Sequence, residues 1–401
     1  MSERNGHISA LAYRLMTATI AHCITRYQSL ERLIMLLRKC FAAIALWSLL
    51  FASVSSHAAP LYTVNLLAGI DFAPTGMNNA GQIVGFAGTG SGGVHAVLYS
   101  GGVLQDLGAF GGVTSYGNAI NDAGAIAGTF VTAMGEHHGF MYRAGSFIDI
   151  GAGTSGEGIN ARGDIVGSRQ DEDGTHGYIY SDGALRGMNN VRTGTQGIAL
   201  DVNDAGQVAG MSSIDYTSVD PSVHPFWYRK GDTIDLGALG NNYITAAVAI
   251  NNAGQIAGYS EGVDGGHAFL LDGGRGMVDL GGFGEGSLRV HDLNEHGTLV
   301  GTASTEELGL IPFMNVGDAL VDLNTLIDPA LGWQLFSAYA NNDLDQIVGW
   351  GCQGTACGLV RLDLASPVPE PDAAWLLAAG LLALAATHWH PRRSSLITAV
   401  A

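Results

Sequence analysis

Residues 246–280 read AAVAI NNAG QIAGY SEGVDGG HAFLL DGGR GMVDL, four short apolar runs separated by three turn-forming stretches. The runs are about five residues long and broken by Gly, too short for helices and suited to strands. Ala246–Ile250, Gln255–Tyr259, His267–Leu271 and Gly276–Leu280 are the expected strands. Asn251-Asn252-Ala253-Gly254 is the tightest turn, because Asn can bond its own backbone and Gly can take positive φ.

The same pattern recurs from about residue 60 to 365. The anchoring Asn residues are Asn78, Asn121, Asn160, Asn203, Asn251, Asn294 and Asn342, spaced by 43, 39, 43, 48, 43 and 48 residues. Each lies seven residues before a Gly, from Gly85 through Gly349. About 44 residues, four strands and no helical stretch match one blade of a β-propeller. A parallel β-helix is the main rival, but its coils are usually shorter and lack a regular hairpin turn. The seventh repeat ends at Gly358–Leu364 without an Asp-Leu-Gly strand, whereas Leu61–Ala68 has no three strands before it. Aligned with Met277–Gly284, that orphan segment resembles a fourth strand, with Asn65 in place of Asp. The expectation is a seven-bladed, all-β propeller over 59–365, closed by its N-terminal strand and without open sheet edges.

His267-Ala268-Phe269 followed by Asp279-Leu280-Gly281, with looser copies at His95, His138, His176 and His224, resembles the HAF repeat of probable extracellular bacterial proteins. That resemblance implies an exported repeat protein and no established activity.

Both ends read as address labels. Arg38 and Lys39, the apolar run Phe41–Val54 and the small residues of Ser56-His57-Ala58 form a signal peptide over 35–58, cut between Ala58 and Ala59. Residues 1–34 read as a gene-model extension before Met35, or as an unusually long n-region. At the other end Pro369-Glu370-Pro371 precedes an apolar stretch, Ala373–Thr387, and then Arg392-Arg393. A simple tail anchor is one reading of 366–401. Motif, short transmembrane helix and basic end in that order also resemble the PEP-CTERM sorting signal. The resemblance implies recognition by an exosortase-type membrane protease after signal peptidase has acted. It further implies an inner-membrane intermediate, release to the cell surface or medium, and association with exopolysaccharide or extracellular matrix.

Composition narrows the partners. Residues 61–364 hold 10 Lys and Arg against 32 Asp and Glu, a net charge of −22. A nucleic-acid partner is excluded, since it needs a basic face. Hydrophobic content of 47% argues against disorder. No nucleophile elbow, zinc-protease motif or phosphate loop is present.

Repeated polar residues are expected to serve the repeat. His95, His138, His176, His224 and His267 should bond a neighbouring turn or blade backbone, and Asp106, Asp149, Asp235, Asp279 and Asp322 should cap the inner-strand turn. Unrepeated residues are the better site candidates. Asp171-Glu172-Asp173 form an oxygen-rich loop that could take Ca²⁺, although the spacing fits no known calcium loop. Asp215, Tyr216 and Trp227 sit in or near a long fourth-repeat loop and could meet a sugar ring. Cys352 and Cys357 should form a disulfide in an oxidising compartment. The resulting expectation is a monomeric, non-enzymatic surface or matrix module, with no catalytic residue and no cofactor beyond possible Ca²⁺, binding exopolysaccharide or a surface protein. The alternative is a polysaccharide-active enzyme using unrepeated carboxylates on one face.

Overall fold

The second strand of every repeat begins with two adjacent buried residues: Ile83-Val84, Ile126-Ala127, Ile165-Val166, Val208-Ala209, Ile256-Ala257, Leu299-Val300 and Ile347-Val348. Adjacent strand residues face opposite sides of a sheet, so each of these sheets is covered on both faces. A computed structural model describes residues 62–67, 72–90, 92–191, 196–213, 223–239 and 244–365. The expected extension, the signal peptide with Ala58 and Ala59, and the tail with Pro369, Glu370, Pro371, Arg392 and Arg393 lie outside them. Among the described residues no helix is long and apolar enough to cross a membrane.

The fifth repeat forms strands Ile244–Ile250, Ile256–Gly262, Gly265–Asp272 and Gly276–Gly281, paired antiparallel in chain order. The other repeats follow the same plan. Five sheets are four-stranded; the remaining one divides into two four-stranded groups, joined only by a parallel bridge between Val223 and Ile244. The last sheet differs in connectivity. Trp333–Asn341, Ile347–Gln353 and Ala356–Leu364 take Tyr62–Leu66 as their outer strand, with Tyr62 opposite Leu364 and Leu66 opposite Val360. The protein is all-β, with four-stranded sheets arranged as in a β-propeller; two 3-10 turns, Leu323–Leu326 and Pro329–Leu331, are its helical segments among the described residues.

The core is divided into clusters between successive sheets. Phe269 packs with Ala209, Ala247, Ile250 and Ile256, and Phe313 with Leu270, Leu288 and Leu299. A further cluster joins Phe72, Met77 and Ile83 of the first repeat to Ala340, Val348 and Leu359 of the last. Burying one such Phe contributes about 2–3 kcal/mol.

The Gly seven residues after each Asn is set by close approach. A Cβ on Gly258 would stand 2.0 Å from the Ala246 carbonyl oxygen and 2.5 Å from the Phe269 ring. The corresponding contact to the preceding strand is 1.9–2.2 Å at Gly85, Gly128, Gly167, Gly210, Gly301 and Gly349. No side chain fits there, so the residue is Gly in every repeat.

Candidate functional site: an acidic axial channel

The seven Asn turns are linked in a closed circle. Within each turn the Asn carboxamide oxygen accepts nearby backbone N–H groups; in the fourth repeat Asn203 Oδ1 accepts from Ala205 and Gln207. The carboxamide nitrogen points the other way, to the next repeat. Asn78 Nδ2 donates to the Asn121 carbonyl, Asn121 to Asn160, Asn160 to Asn203, Asn203 to Asn251, Asn251 to Asn294, Asn294 to Asn342, and Asn342 back to Asn78. All seven bonds measure 2.8–3.2 Å, and all seven Asn are buried.

The residue after each Asn builds a second ring above the first. Asn79, Asp204, Asn252, Glu295 and Asp343 each donate the backbone N–H to the side chain of the following position, which is Asp122, Asn252, Glu295, Asp343 and Asn79 in turn. Ala161 donates to Asp204 but has no acceptor of its own to offer Asp122. Asn79 and Asn252 show that a neutral carboxamide suffices as acceptor. The four carboxylates, Asp122, Asp204, Glu295 and Asp343, therefore add charge that the backbone bonds do not need. Asn79 Nδ2 bonds both Asp122 and Asp343, and Asn252 Nδ2 bonds Asp204. Burial raises the Glu295 carboxyl, and the charges of Asp343 and Asp204 raise it further.

Below the rings the channel continues. In six repeats the inner strand has a register shift that leaves a residue unpaired, Thr75, Asn118, Leu200, Val248, His291 or Tyr339, and in the last repeat a second shift also leaves out Phe336. A bulge re-aims its residue, and the first five line a lower cavity of about 160 Å³ with Glu157, Asp201 and Asp292. The upper cavity, about 260 Å³, is lined by both rings and by the same Asp201 and Asp292. Together the linings hold seven carboxylates and neither Lys nor Arg.

Asp201 and Asp292 occupy a position that is Gly or Ala in the other five repeats. Each bridges two strands: Asp201 accepts from Val202 and from Ile250 of the next repeat, and Asp292 from Leu293 and from Asn341 of the next. Both carboxylates are half-buried in the channel wall. Burial pushes Asp201 up to about 6, with Glu295 adding to the effect, and Asp292 up to about 7, with Asp201 and Asp343 adding. The surrounding channel wall and the Arg289 charge push His291 down to about 4.

The sequence-derived candidates lie elsewhere. Asp171, Glu172 and Asp173 are exposed at a hairpin; Asp171 Oδ1 accepts the Asp173 N–H and stands 3.5 Å from His176. Among the described residues no three His, Cys, Asp or Glu side chains are grouped to hold a metal ion. Asp215 and Tyr216 lie outside the described residues. Trp227 is half-buried beside Leu236 and Leu239 and is stacked by Arg229 at 4.1 Å, so its ring is taken up by the protein itself. Cys352 and Cys357 face each other across the last hairpin and form a disulfide. The repeated His and Asp require a correction. They bond each other, not a neighbouring blade: Nδ1 of His95, His138, His224 and His267 lies 2.8–3.1 Å from Asp106, Asp149, Asp235 and Asp279. Each of these Asp also accepts the N–H of the Gly two residues on. Asp322, which lacks a His, instead caps the 3-10 turn at Asn324.

No family model and no curated protein matches the chain. Among solved structures it is similar to the β-propeller domain of the Trilobed protease from Pyrococcus furiosus, with 10% identity, a TM-score of 0.48 and coverage of 79% of this chain and 99% of that one. It is also similar to a Mycobacterium tuberculosis puromycin-hydrolyzing peptidase (14% identity, TM-score 0.46, 80% and 56% covered) and to TolB from Acinetobacter baumannii (12%, 0.43, 61% and 62%). The chain thus spans about half to three fifths of the last two. The expectation of a non-enzymatic matrix or exopolysaccharide module, with its polysaccharide-active alternative, is corrected here. Among the similar structures are the β-propeller domain of a protease, several peptidases and TolB. The site, moreover, is a narrow acidic channel and not a shallow aromatic face.

Proposed function

We propose that this chain is a seven-bladed β-propeller, closed by its N-terminal strand, that captures positively charged peptide segments at the acidic end of its axial channel. The observation that carries the reading is the surplus charge of the second ring. Four carboxylates stand where Asn79 and Asn252 perform the same backbone bonding without charge. Carboxylates gathered in a cleft with no Lys or Arg in its lining concentrate field lines on a cationic ligand and raise its rate of encounter. The signal-peptide pattern and the resemblance to PEP-CTERM tails support delivery outside the cytoplasm, with signal peptidase and an exosortase-type protease as processing partners.

The test is fluorescence anisotropy with labelled hexalysine and hexaglutamate. Hexalysine should bind at low salt and weaken steeply with added salt, and hexaglutamate should not bind. Neutralising the mouth (Asp122→Asn, Asp204→Asn, Glu295→Gln, Asp343→Asn) keeps every acceptor and should abolish binding. Neutralising four outer acids, Asp232, Glu306, Glu307 and Asp318, should leave most of it. Equal losses from the two sets would overturn the reading, since attraction would then follow net charge alone.

A further inference from the structure

The channel carries its negative charge with neither Lys nor Arg in its lining. Around the mouth the acids are tied one to the next. Asn252 N–H donates to Glu295 at 3.0 Å and Glu295 N–H to Asp343 at 2.9 Å, while Asn79 Nδ2 joins Asp343 and Asp122 at 2.7 and 2.8 Å. Asp201 and Asp292 stand where the two cavities meet, because both cavities are lined by them. Each of their four oxygens accepts one backbone N–H, the last from Asn341, and neither side chain forms an ion pair among the described residues. Carboxylates confined in this way take up protons readily, since each one neutralised relieves the rest.

The acids facing the pair act in the same direction. Asp292 faces Asp201 and Asp343, Asp201 faces Glu295, and Glu295 faces Asp343 and Asp204. Glu157 lines the lower cavity with them. Arg289, whose charge reaches His291 beside Asp292, is held by Glu261. His296 follows Glu295 in the chain and brings Nδ1 to 3.5 Å from Asp345, so a proton gained there adds positive charge next to the mouth. We propose that the channel exchanges protons for its cationic ligand: capture of a positively charged peptide drives protons from Asp201 and Asp292 into solvent, and mild acid drives the peptide off. The proposal rests on the capture reading above and adds its regulation. Peptide and proton compete for one field, so each weakens the binding of the other by the same factor. The upward shifts of Asp201, to about 6, and of Asp292, to about 7, put the exchange between about pH 5.5 and 7.5.

The test is calorimetric titration of the full chain with hexalysine at constant ionic strength. The dissociation constant should rise about tenfold from pH 7.5 to pH 5.5, as two of the lining carboxylates become neutral. At about pH 6.5, titrations in MES and in bis-Tris, whose ionisation enthalpies differ, should show about one proton released per peptide bound. Asp201→Asn and Asp292→Asn should each lower that release and flatten the pH dependence, while capture at pH 5.5 stays close to that of wild type. If a variant departs from the wild-type circular dichroism spectrum, the pH series and proton count of wild type carry the test. Binding that does not change with pH, binding without proton release, or release that survives both substitutions would overturn the proposal and leave capture standing. Absence of hexalysine binding at every pH would overturn the capture reading, and this proposal with it.

Discussion

The Asn turns at the channel and the His–Asp pairs on the outer strands are both polar pairings repeated along the chain, yet they tolerate change differently. The Asn is present in all seven repeats, because its two ends serve two repeats: Oδ1 closes its own turn and Nδ2 holds the next one. The His–Asp pair lies within one hairpin and survives in four repeats. Ile311 and Cys357 replace the His, and Gly187 replaces the Asp opposite His176. A bond within a repeat can be exchanged for another device, such as the disulfide of the last hairpin. A bond shared by two repeats cannot be lost without leaving buried groups in both.

Four measurements bear on that contrast. Gly258→Ala puts a Cβ against the Ala246 carbonyl and the Phe269 ring, and should cost about 3 kcal/mol or more in urea unfolding. A cost under about 1 kcal/mol would show that the strands can move apart. Asn203→Ala strands the N–H groups of its own turn and removes a donor from the Asn251 carbonyl, and should cost about 2–3 kcal/mol. His267→Ala should cost less than about 1 kcal/mol, as expected of an exposed pair. An equal loss at Asn203 and His267 would erase the distinction.

The smallest effect expected is a pH dependence. Asp292 has a raised pKa in the fold, so the folded state holds its proton more tightly than the unfolded chain. That contribution is present below about pH 4 and is lost as pH rises toward about 7. The charges facing it are Asp201 and Asp343; neutral His291 is its neighbour on the strand and titrates with the opposite sign. The Tm of wild type relative to Asp292→Asn should therefore fall by a few °C, about the response to 1 kcal/mol, between pH 4 and 7. A constant difference would mean that water in the channel screens the group.

Much of the fold is legible in the sequence because the repeat repeats its reasons. The turn Asn, the positive-φ Gly and the paired apolar residues recur at fixed offsets, and the strands of the fifth repeat lie within three residues of where the pattern puts them. The site is less legible. Single-repeat reasoning treats Asn as a local turn former, and its second bond reaches a residue 39–48 positions away in six repeats and 264 in the last. His267 and Asp279 are 12 residues apart, and only the hairpin register shows that they meet. Asp201, Asp292 and Asn341 do leave a signal. They are polar at positions where other repeats are small or apolar, visible only when repeats are aligned column by column.

The pairing of Tyr62–Leu66 with Ala356–Leu364 joins residues about 300 positions apart. Chain order then becomes a clock. The first of the described strands to leave the ribosome has no partner until the last hairpin has been made, and closing a loop of that length is entropically slow. Until then the last sheet lacks its outer strand, and the early repeats can form while the final join stays open. A chain built this way carries its own delay: its last sheet is complete only after the final hairpin has been made.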